Sequence, residues 1–371
     1  TSPCAAGNNP SCGWVGALDF SHPLVTVTVD PGGGGMFATI QDAISSSLIS
    51  GGDTIYLGDG VFTGPGNVDI DLEGKSVVVR SISGDPEDCV IDCQGSSGSP
   101  HRGFRLYNRE GNAARIEGVT VRNGWTAGAG GGINMSRSDA TIKDCLFEKC
   151  HAYDGGGIIA FFGEGLIWSC GFDSCTADDA GGGLFLSGGD PTVRDCWFKE
   201  NWADWGGGGM YNDDSSPLIE RCVFAGNTSD HMGGGIHNNH SECEPVIRNC
   251  TFSMNAGLNG GAIFSRNFAA PVVYNSIIAF SPEGVAVRVQ TDATTTLYCC
   301  DVYGNVDGDY VDAILGQDGI NGNFSEDPLF CNVYIHYLRL TEASPCTQEN
   351  GGGCGLIGAV WEGCHTLTDA D

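Results

Sequence analysis

The sequence has few basic residues and no long apolar run. Only 17 Lys and Arg stand against 46 Asp and Glu, which gives a formal net charge of −29. Because phosphate binding needs a basic surface, this charge argues against nucleic acid as a partner and against docking on anionic lipid. No apolar stretch approaches the ~20 residues of a spanning helix, so we do not expect an integral membrane protein. The 41% of hydrophobic residues is enough for a folded core.

Glycine and cysteine are abundant instead. The 59 glycines lack a Gly-X-Y period, which excludes collagen. The 18 cysteines are even in number and contain no C-x2-C pair, so they predict disulfides formed in an oxidising compartment rather than metal clusters. The chain begins at Thr1 without methionine. We therefore expect a secreted protein, extracellular or at the cell surface, whose signal peptide has already been removed.

The glycines mark a repeat of about 25 residues. Glycine pairs precede an aliphatic residue six times, at spacings of 25 to 27 residues, and a cysteine with a phenylalanine two residues later follows in most repeats. The aliphatic positions are Ile133, Ile158, Leu184, Met210, Ile236 and Ile263. Each unit holds two or three short strands separated by turns, and such a unit buries its apolar face only by stacking on its neighbours.

The period predicts an all-β fold, a right-handed parallel β-helix whose successive coils lie ~4.8 Å apart. We expect an N-terminal extension over residues 1–35, the β-helix over 36–300 and a disulfide-rich C-terminal cap over 301–371. The run from Phe37 to Ile44 has helical apolar spacing and predicts a short helix that caps the first coil.

Stacked coils turn repeat positions into columns. One column is an aromatic stack and another is a ladder of asparagine amides, which hydrogen-bond along the axis as in cross-β stacks. The aromatic stack comprises Phe147, Phe172, Phe198, Phe224 and Phe252, and the ladder comprises Asn201, Asn227 and Asn255.

The same columns suggest which cysteines pair. Cys150 and Cys175 share a column one coil apart, within disulfide range, and are the first predicted pair. The column from Cys145 to Cys250 leaves two alternatives open, pairing between neighbours or small apolar filler. The other disulfide candidates are Cys4, Cys12, Cys89, Cys93, Cys299, Cys300, Cys331, Cys346, Cys354 and Cys364.

A family resemblance appears near residue 38. The segments Ala38–Ile44, Gly52–Leu57 and Gly60–Thr63 resemble the entry to pectin-lyase-like right-handed parallel β-helix proteins. The repeats resemble those of secreted bacterial β-helix proteins and polymorphic outer-membrane proteins, over about residues 36 to 365. This resemblance implies a polysaccharide lyase or hydrolase as one possible activity. A lyase of this kind would need clustered carboxylates that hold Ca²⁺ and a basic side chain.

Three groups of residues are candidates for chemistry. Carboxylates recur near the glycine turns at Asp154, Asp178, Asp179, Asp204 and Asp230, where stacking brings like charges together. The aromatic residues Trp202, Trp205 and Tyr211 could form a sugar-binding platform or simply pack. Five oxygen-bearing side chains within twelve residues form a weak calcium site, with an Asx-rich surface turn as the alternative. They are Asp301, Asn305, Asp307, Asp309 and Asp312.

No catalytic constellation stands out, so we name no catalytic residue and the sequence favours a non-enzymatic role. The leading hypothesis is an extracellular structural protein, an adhesin or a filament subunit that assembles head-to-tail through the β-helix ends. The alternative is a carbohydrate-active enzyme or a glycan-binding module. Partners are then further copies of the chain, giving a homopolymer, or surface glycans. No cofactor is required, although Ca²⁺ is a candidate ligand.

Overall fold

The structure is a computed structural model that describes residues 23–290, 292–333, 337–359 and 363–364. Cys4 and Cys12 lie outside these residues. The chain forms an all-β, right-handed parallel solenoid of about eleven coils, as the repeat predicts.

Four parallel sheets run along the solenoid, and we number them 1 to 4. Sheet 1 has eleven strands: Thr26–Val29, Thr54–Leu57, Val78–Ser81, Arg115–Glu117, Thr141–Lys143, Leu166–Trp168, Thr192–Arg194, Leu218–Glu220, Val246–Arg248, Val272–Tyr274 and Thr296–Tyr298. Sheet 2 has nine: Ile70–Asp71, Phe104–Leu106, Ile133–Ser136, Ile158–Phe161, Leu184–Ser187, Met210–Asp213, Ile236–Asn239, Ile263–Arg266 and Val287–Val289.

Sheet 3 has ten strands: Gly60–Phe62, Cys89–Asp92, Thr120–Arg122, Leu146–Glu148, Gly171–Asp173, Trp197–Lys199, Val223–Ala225, Thr251–Ser253, Ile277–Ala279 and Asp301–Tyr303. Sheet 4 has five: His151–Ala152, Thr176–Ala177, Trp202–Ala203, Thr228–Met232 and Ala256–Asn259. A complete coil therefore passes through sheets 1, 3, 4 and 2 in turn. The glycine runs lie between sheets 4 and 2.

The corners between sheets are made by single residues in the left-handed backbone region. Asp144, Ser169, Asp195 and Arg221 occupy equivalent corners between sheets 1 and 3, with φ of 51° to 55°. A single left-handed residue bends the chain from one sheet to the next without a long loop, at a cost that the following buried strand offsets. The next residue in each coil, a cysteine, then points into the core.

The interior is filled by columns of identical or similar side chains. The rings of Phe172 and Phe198 stack with centroids 4.6 Å apart, and those of Phe198 and Phe224 repeat this spacing. Phe147 and Phe252 extend the stack at either end, at 5.1 and 4.8 Å. All of these rings are fully buried, so the column forms the centre of one continuous core.

The asparagine column lies beside this stack. Asn201 Nδ2 donates to Asn227 Oδ1 at 2.9 Å, and Asn227 Nδ2 donates to Asn255 Oδ1 at the same distance. Each amide also donates to a main-chain carbonyl and accepts from the main-chain N–H one coil away; Asn227 Nδ2, for example, donates to Phe198 O at 2.9 Å. The ladder thus satisfies main-chain groups that would otherwise be buried without partners.

The cysteines require a correction. Cys150 and Cys175 are free, buried thiols rather than the expected disulfide. Both side chains point inward in parallel, and each thiol donates to a carbonyl of the preceding coil instead of turning toward its neighbour, Cys150 to Val121 O at 3.5 Å and Cys175 to Phe147 O at 3.4 Å.

The longer cysteine column is also filler. Cys145, Cys170, Cys196, Cys222 and Cys250 are free and buried, as are the candidates Cys89, Cys93, Cys300 and Cys346. Small thiols fit the crowded corner beside the phenylalanine stack and donate weakly to strand carbonyls there, so pairing is not needed to satisfy them.

One disulfide joins the C-terminal segment to the solenoid, and a second closes within that segment. Cys299 pairs with Cys354, and Cys331 pairs with Cys364. The strands Phe330–Asn332 and Tyr337–Leu340 form an antiparallel pair, and short 3-10 turns lie at Asp312–Ile314 and Gly352–Cys354. Asp301–Tyr303 pairs with sheet 3, so the parallel sheets run past residue 300.

The solenoid also begins before residue 36, where the sequence predicts its start. Thr26–Val29 already pairs with Thr54–Leu57 as the first strand of sheet 1. A six-residue helix, Ile40–Ser45, follows with Thr39 as its N-cap, and its buried residues are Ile40, Ala43 and Ile44. Across the described part of the chain, no helix is long and apolar enough to cross a membrane.

Candidate functional site

The outer face of sheet 2 carries a separate apolar cluster outside the core. In a strand, alternate side chains point to opposite faces, so the second residue of each sheet 2 strand points outward. Ile159, Phe185 and Tyr211 occupy this position and are nevertheless buried, packed together with Ala180 from the glycine turn. The turn thus folds over the sheet and creates a groove along the junction.

We define the aromatic–acidic groove as the cavity of about 400 Å³ along this junction. It combines apolar rings, carboxylates and one guanidinium, and ligand pockets in general pair apolar walls with a few fixed polar groups. Its lining residues are Asp154, Asp179, Ala180, Phe185, Trp205, Tyr211, Asp213, Asn239, His240 and Arg266. A larger cavity of about 760 Å³ in the C-terminal segment is lined mostly by glycine and small residues and holds no such combination.

The aromatic side of the groove is ordered by packing. Tyr211 stacks on Phe185 with centroids 4.9 Å apart. Trp205 comes from the turn that precedes the glycines and is 38% exposed, and the ring of His231 lies beside it with centroids 5.4 Å apart. The guanidinium of Arg266 lies 5.6 Å from the centroid of the Trp205 ring. This cation–π contact fixes the tryptophan against the groove wall.

The acidic side of the groove raises the proton affinity of its carboxylates. Burial, together with the charge of Asp179, raises the pKa of Asp154 to about 6. Burial and the charge of Asp204 raise the pKa of Asp179 as well. Two carboxylates that are partly buried beside each other are costly for stability, and such an arrangement is typical of functional sites.

A hydrogen-bonded chain links the two sides. Arg266 Nε donates to Asn239 Oδ1 at 3.0 Å, and Asn239 Nδ2 donates to Asp213 Oδ1 at 2.8 Å. Asp213 Oδ1 also lies 2.7 Å from His240 Nδ1. These four residues hold their side chains in fixed positions, which is what a binding site needs to avoid entropy loss on binding.

His237 is a buried histidine behind the groove. Its ring lies between Tyr211 and Phe264, with centroids 4.5 and 4.9 Å away. Neither ring nitrogen has a hydrogen-bond partner within the described ranges. A Cβ on Gly206 would lie only 2.2 Å from its Nδ1, so this turn requires glycine. Burial and the charge of Arg266 hold the pKa of His237 well below its usual range.

The structure places two of the three predicted aromatic residues in the groove. Trp205 and Tyr211 line it, together with Asp154 and Asp179 from the predicted carboxylate set. Trp202 lies apart from the groove on sheet 4, where its Nε1 donates to Asp230 Oδ1 at 2.9 Å.

The sequence analysis missed Phe185, Asp213, Asn239, His240 and Arg266. A usable signal was present, because Asp213, Asn239 and Arg266 are aligned strand neighbours at the fourth position of successive sheet 2 strands. The glycine repeat alone did not reveal that this position faces a groove.

The five calcium candidates are not gathered around one point. Asn305 Nδ2 donates to Asp309 Oδ1 at 2.7 Å, and Asn305 otherwise continues the asparagine column with a bond from Ser281 N. Asp312 pairs instead with Arg288, and Asp307 accepts from Gly284 N at 2.9 Å.

Asp301 is buried in the same segment. It accepts from Glu326 N at 3.1 Å, and burial raises its pKa to about 7. Within the described ranges, no cluster of three or more His, Cys, Asp or Glu side chains has a metal-binding arrangement.

Comparison with known proteins identifies the family. A protein-family model, that of the right-handed β-helix region, matches residues 90–252 and 131–302, together more than half of the chain. The protein therefore belongs to the right-handed β-helix family. No curated protein matches its sequence.

Solved structures give fold-level likenesses only. The chain resembles a pectin methylesterase from Aspergillus niger at 16% identity, covering 83% of this chain and 90% of that one, with a TM-score of 0.41. It resembles pectate lyase Pel9A at 13% identity, covering 92% and 98%, with a TM-score of 0.46. Pectin methylesterase PemA from Erwinia chrysanthemi gives 11% identity, 89% and 98% coverage and a TM-score of 0.38. These scores lie below 0.5, and no activity is transferred from them.

Proposed function

We propose that this protein binds an extended glycan in the aromatic–acidic groove. The observation that carries the proposal is one groove that holds the partly exposed Trp205 ring, Tyr211 and fixed polar groups. Sugar rings present apolar faces that pack on aromatic rings, and their hydroxyls donate to carboxylates and accept from guanidinium groups. The groove runs along stacked coils, a direction that suits a linear polymer.

The charge of the groove favours an uncharged glycan. The groove holds one permanently protonated side chain, Arg266, and three carboxylates, those of Asp154, Asp179 and Asp213. A uronate polymer would bring further carboxylates into a groove that already holds an excess of negative charge, which costs free energy unless cations screen it. Neutral hydroxyl-rich sugars meet no such repulsion.

A glycan array probed with the labelled protein tests the proposal. We expect neutral linear oligosaccharides on the array to bind the protein. We expect polyuronates not to bind it at low salt. Binding to polyuronates alone would contradict the proposed class of ligand. Release of shorter products from a bound oligosaccharide would extend the proposal to a glycan-cleaving enzyme, with Asp154 as the acid because its pKa is raised to about 6.

Head-to-tail assembly is a second proposal, which the terminal strands of the solenoid support. Within the described residues, Thr26–Val29 and Thr296–Tyr298 are the terminal strands of sheet 1, each with one neighbouring strand. Flanking segments bond part of both outer edges, since Met36 N donates to Thr28 O and Leu297 N donates to Gln317 Oε1. A terminal strand whose outer edge is only partly bonded can accept a strand from another copy. Electron microscopy with and without EDTA tests this assembly and any calcium bridge between acidic copies. Isolated short rods would contradict it.

An extracellular location is part of the same proposal. The two disulfides of the C-terminal segment support it, because such bonds persist in oxidising compartments. Mass spectrometry of the native protein, with and without reduction, tests whether both bonds are present in the natural source.

A further inference from the structure

Three side chains near residue 100 form a hydrogen-bonded line. Asp69 Oδ2 lies 2.7 Å from His101 Nδ1, and the other ring nitrogen, Nε2, lies 3.2 Å from Ser99 Oγ. A proton on Nδ1 that is donated to the carboxylate leaves Nε2 as an acceptor for the serine hydroxyl. This order of groups is the one by which a histidine activates a serine as a nucleophile.

The main chain fixes the serine and the histidine. Ser96 and Ser99 exchange main-chain hydrogen bonds of 2.9 and 3.0 Å, which close a tight turn. Pro100 restricts the link to His101, and His101 exchanges main-chain bonds of 3.0 and 2.7 Å with Trp125. The hydroxyl is exposed at the surface, whereas its neighbours are anchored to the solenoid.

The carboxylate is held from its other side. Arg105 Nη2 donates to Asp69 Oδ1 at 2.8 Å, and Arg102 N donates to the same oxygen at 3.3 Å. These bonds leave Oδ2 directed at the histidine. Because Asp69 adopts φ of 54°, which Asn tolerates as well as Asp, an Asp69→Asn change alters the charge without straining the backbone.

A cavity of about 130 Å³ is lined by Asp69 and His101, and Pro100, which follows Ser99 in the chain, forms part of its wall. Trp125 and Pro100 give it apolar walls, and Arg102 and Arg105 give it positive charge. A developing oxyanion needs such charge close by. The small volume admits a short acyl group rather than a long chain.

Two other histidines of the described ranges make different contacts through Nδ1 and Nε2. His151 also has a hydroxyl and a carboxylate nearby, but Thr176 Oγ1 lies 2.9 Å from Nδ1 and the Asp178 carboxylate lies 3.5 Å from Nε2, both in the exchanged positions. His240 contacts Asp213 through Nδ1.

We infer that Ser99, His101 and Asp69 form a hydrolytic site for small acyl esters, an activity beyond glycan binding and independent of it. Ser99 Oγ attacks the ester carbonyl carbon while His101 Nε2 takes the hydroxyl proton. The bond to the alcohol oxygen breaks as His101 returns that proton, which leaves the acyl group on Ser99. Water then attacks the acyl carbon with His101 as base, and the proton passes to Ser99 Oγ as the acid leaves. Asp69 is a positioning residue for His101.

The test uses the full chain, p-nitrophenyl acetate and a fluorophosphonate probe. We expect the probe to label Ser99, located by peptide mass spectrometry, and ester hydrolysis to fall about 100-fold or more in Ser99→Ala. The matched control is Ser97→Ala in the same turn, which should stay within about 2-fold of the unmodified chain. Circular dichroism melts confirm that each variant is folded.

Asp69→Asn supplies the second readout. Asp69→Asn should lose about 100-fold in the hydrolysis rate and label more slowly at Ser99 with the probe, while melting at a similar temperature. Folded protein that the probe does not label at Ser99, or hydrolysis that is unchanged in Ser99→Ala, would overturn the inference.

Discussion

The guanidinium of Arg266 lies over the indole of Trp205, 5.6 Å from the ring centroid, and joins two coils across the groove. Trp205 comes from a turn and Arg266 from the end of a sheet 2 strand two coils later. This contact connects the repeat architecture to the candidate site, because only stacked coils bring these residues together. The groove is therefore a product of the solenoid rather than of one local motif.

The asparagine ladder should contribute strongly to stability. Asn227→Ala removes the partners of Asn201 N and Phe198 O, each a buried main-chain group. With about 1–3 kcal/mol per unsatisfied group, we expect a loss of about 2–6 kcal/mol in the free energy of unfolding. Urea unfolding measures it, with the exposed Asn112→Ala as the control within about 0.5 kcal/mol. Equal losses in both variants would contradict the ladder's role.

Much of this ladder could be predicted from the sequence, because the solenoid turns a fixed period directly into contact. Phe198 and Asn201 were assigned to their columns by spacing alone. The cysteine pairing could not be predicted in this way. A period places Cys150 above Cys175, but the direction of each thiol depends on the corner geometry, which turns both toward carbonyls.

The groove was less predictable for a related reason. Outward residues of a solenoid strand are ordinarily exposed, but Tyr211 is buried because it packs between Phe185 and His237 and against Ala180 of the glycine turn. Arg266 and Asp213 belong to strands in which apolar and polar residues alternate, as in any sheet with one face exposed to solvent. Their meeting with Asp154 depends on the path of a turn, not on the repeat.

The cysteine state can be measured by thiol titration without reductant. We expect the native protein to react slowly with Ellman's reagent, because all 12 free cysteines of the described residues are buried. After unfolding in guanidinium, about 12 thiols from these positions should become reactive. A denatured protein that exposes only a few thiols would show that the interior cysteines are paired instead.

His237 should make the protein sensitive to acid. Its pKa is held below the usual range by burial, so below about pH 6.5 the unfolded chain binds a proton that the folded chain does not. Stability should therefore fall by about 1–2 kcal/mol between pH 7.5 and pH 5 on this account. His237→Phe continues the aromatic column between Tyr211 and Phe264 and should remove this slope in urea unfolding.

The half-exposed His231 gives the matched control, since His231→Phe should leave the acid slope in place. Identical slopes in the unmodified chain and in His237→Phe would contradict the assignment. Loss of the slope in His231→Phe would do the same.

Asp154 should lower the stability of the folded protein when its carboxylate is ionised. Its folded pKa of about 6 lies above the value in an unfolded chain, so its contribution to stability is present at low pH and is lost as pH rises through about 6. Asp154→Asn should raise stability at pH 8 by about 1 kcal/mol, allowing for solvent screening, and leave it nearly unchanged at pH 4. Thermal melts at both pH values measure this, with Asp178→Asn as the control. A variant less stable than the unmodified chain at pH 8 would contradict it.

The central claim is that the groove binds a glycan, and calorimetric titration with the tightest neutral oligosaccharide from the array tests it most directly. Trp205→Ala should raise Kd by about 10-fold or more, because it removes the partly exposed aromatic surface of the groove. Trp202→Ala, in the same coil but outside the groove, should stay within about 2-fold. Equal affinities for the unmodified chain and Trp205→Ala would contradict the claim and show that the glycan binds elsewhere.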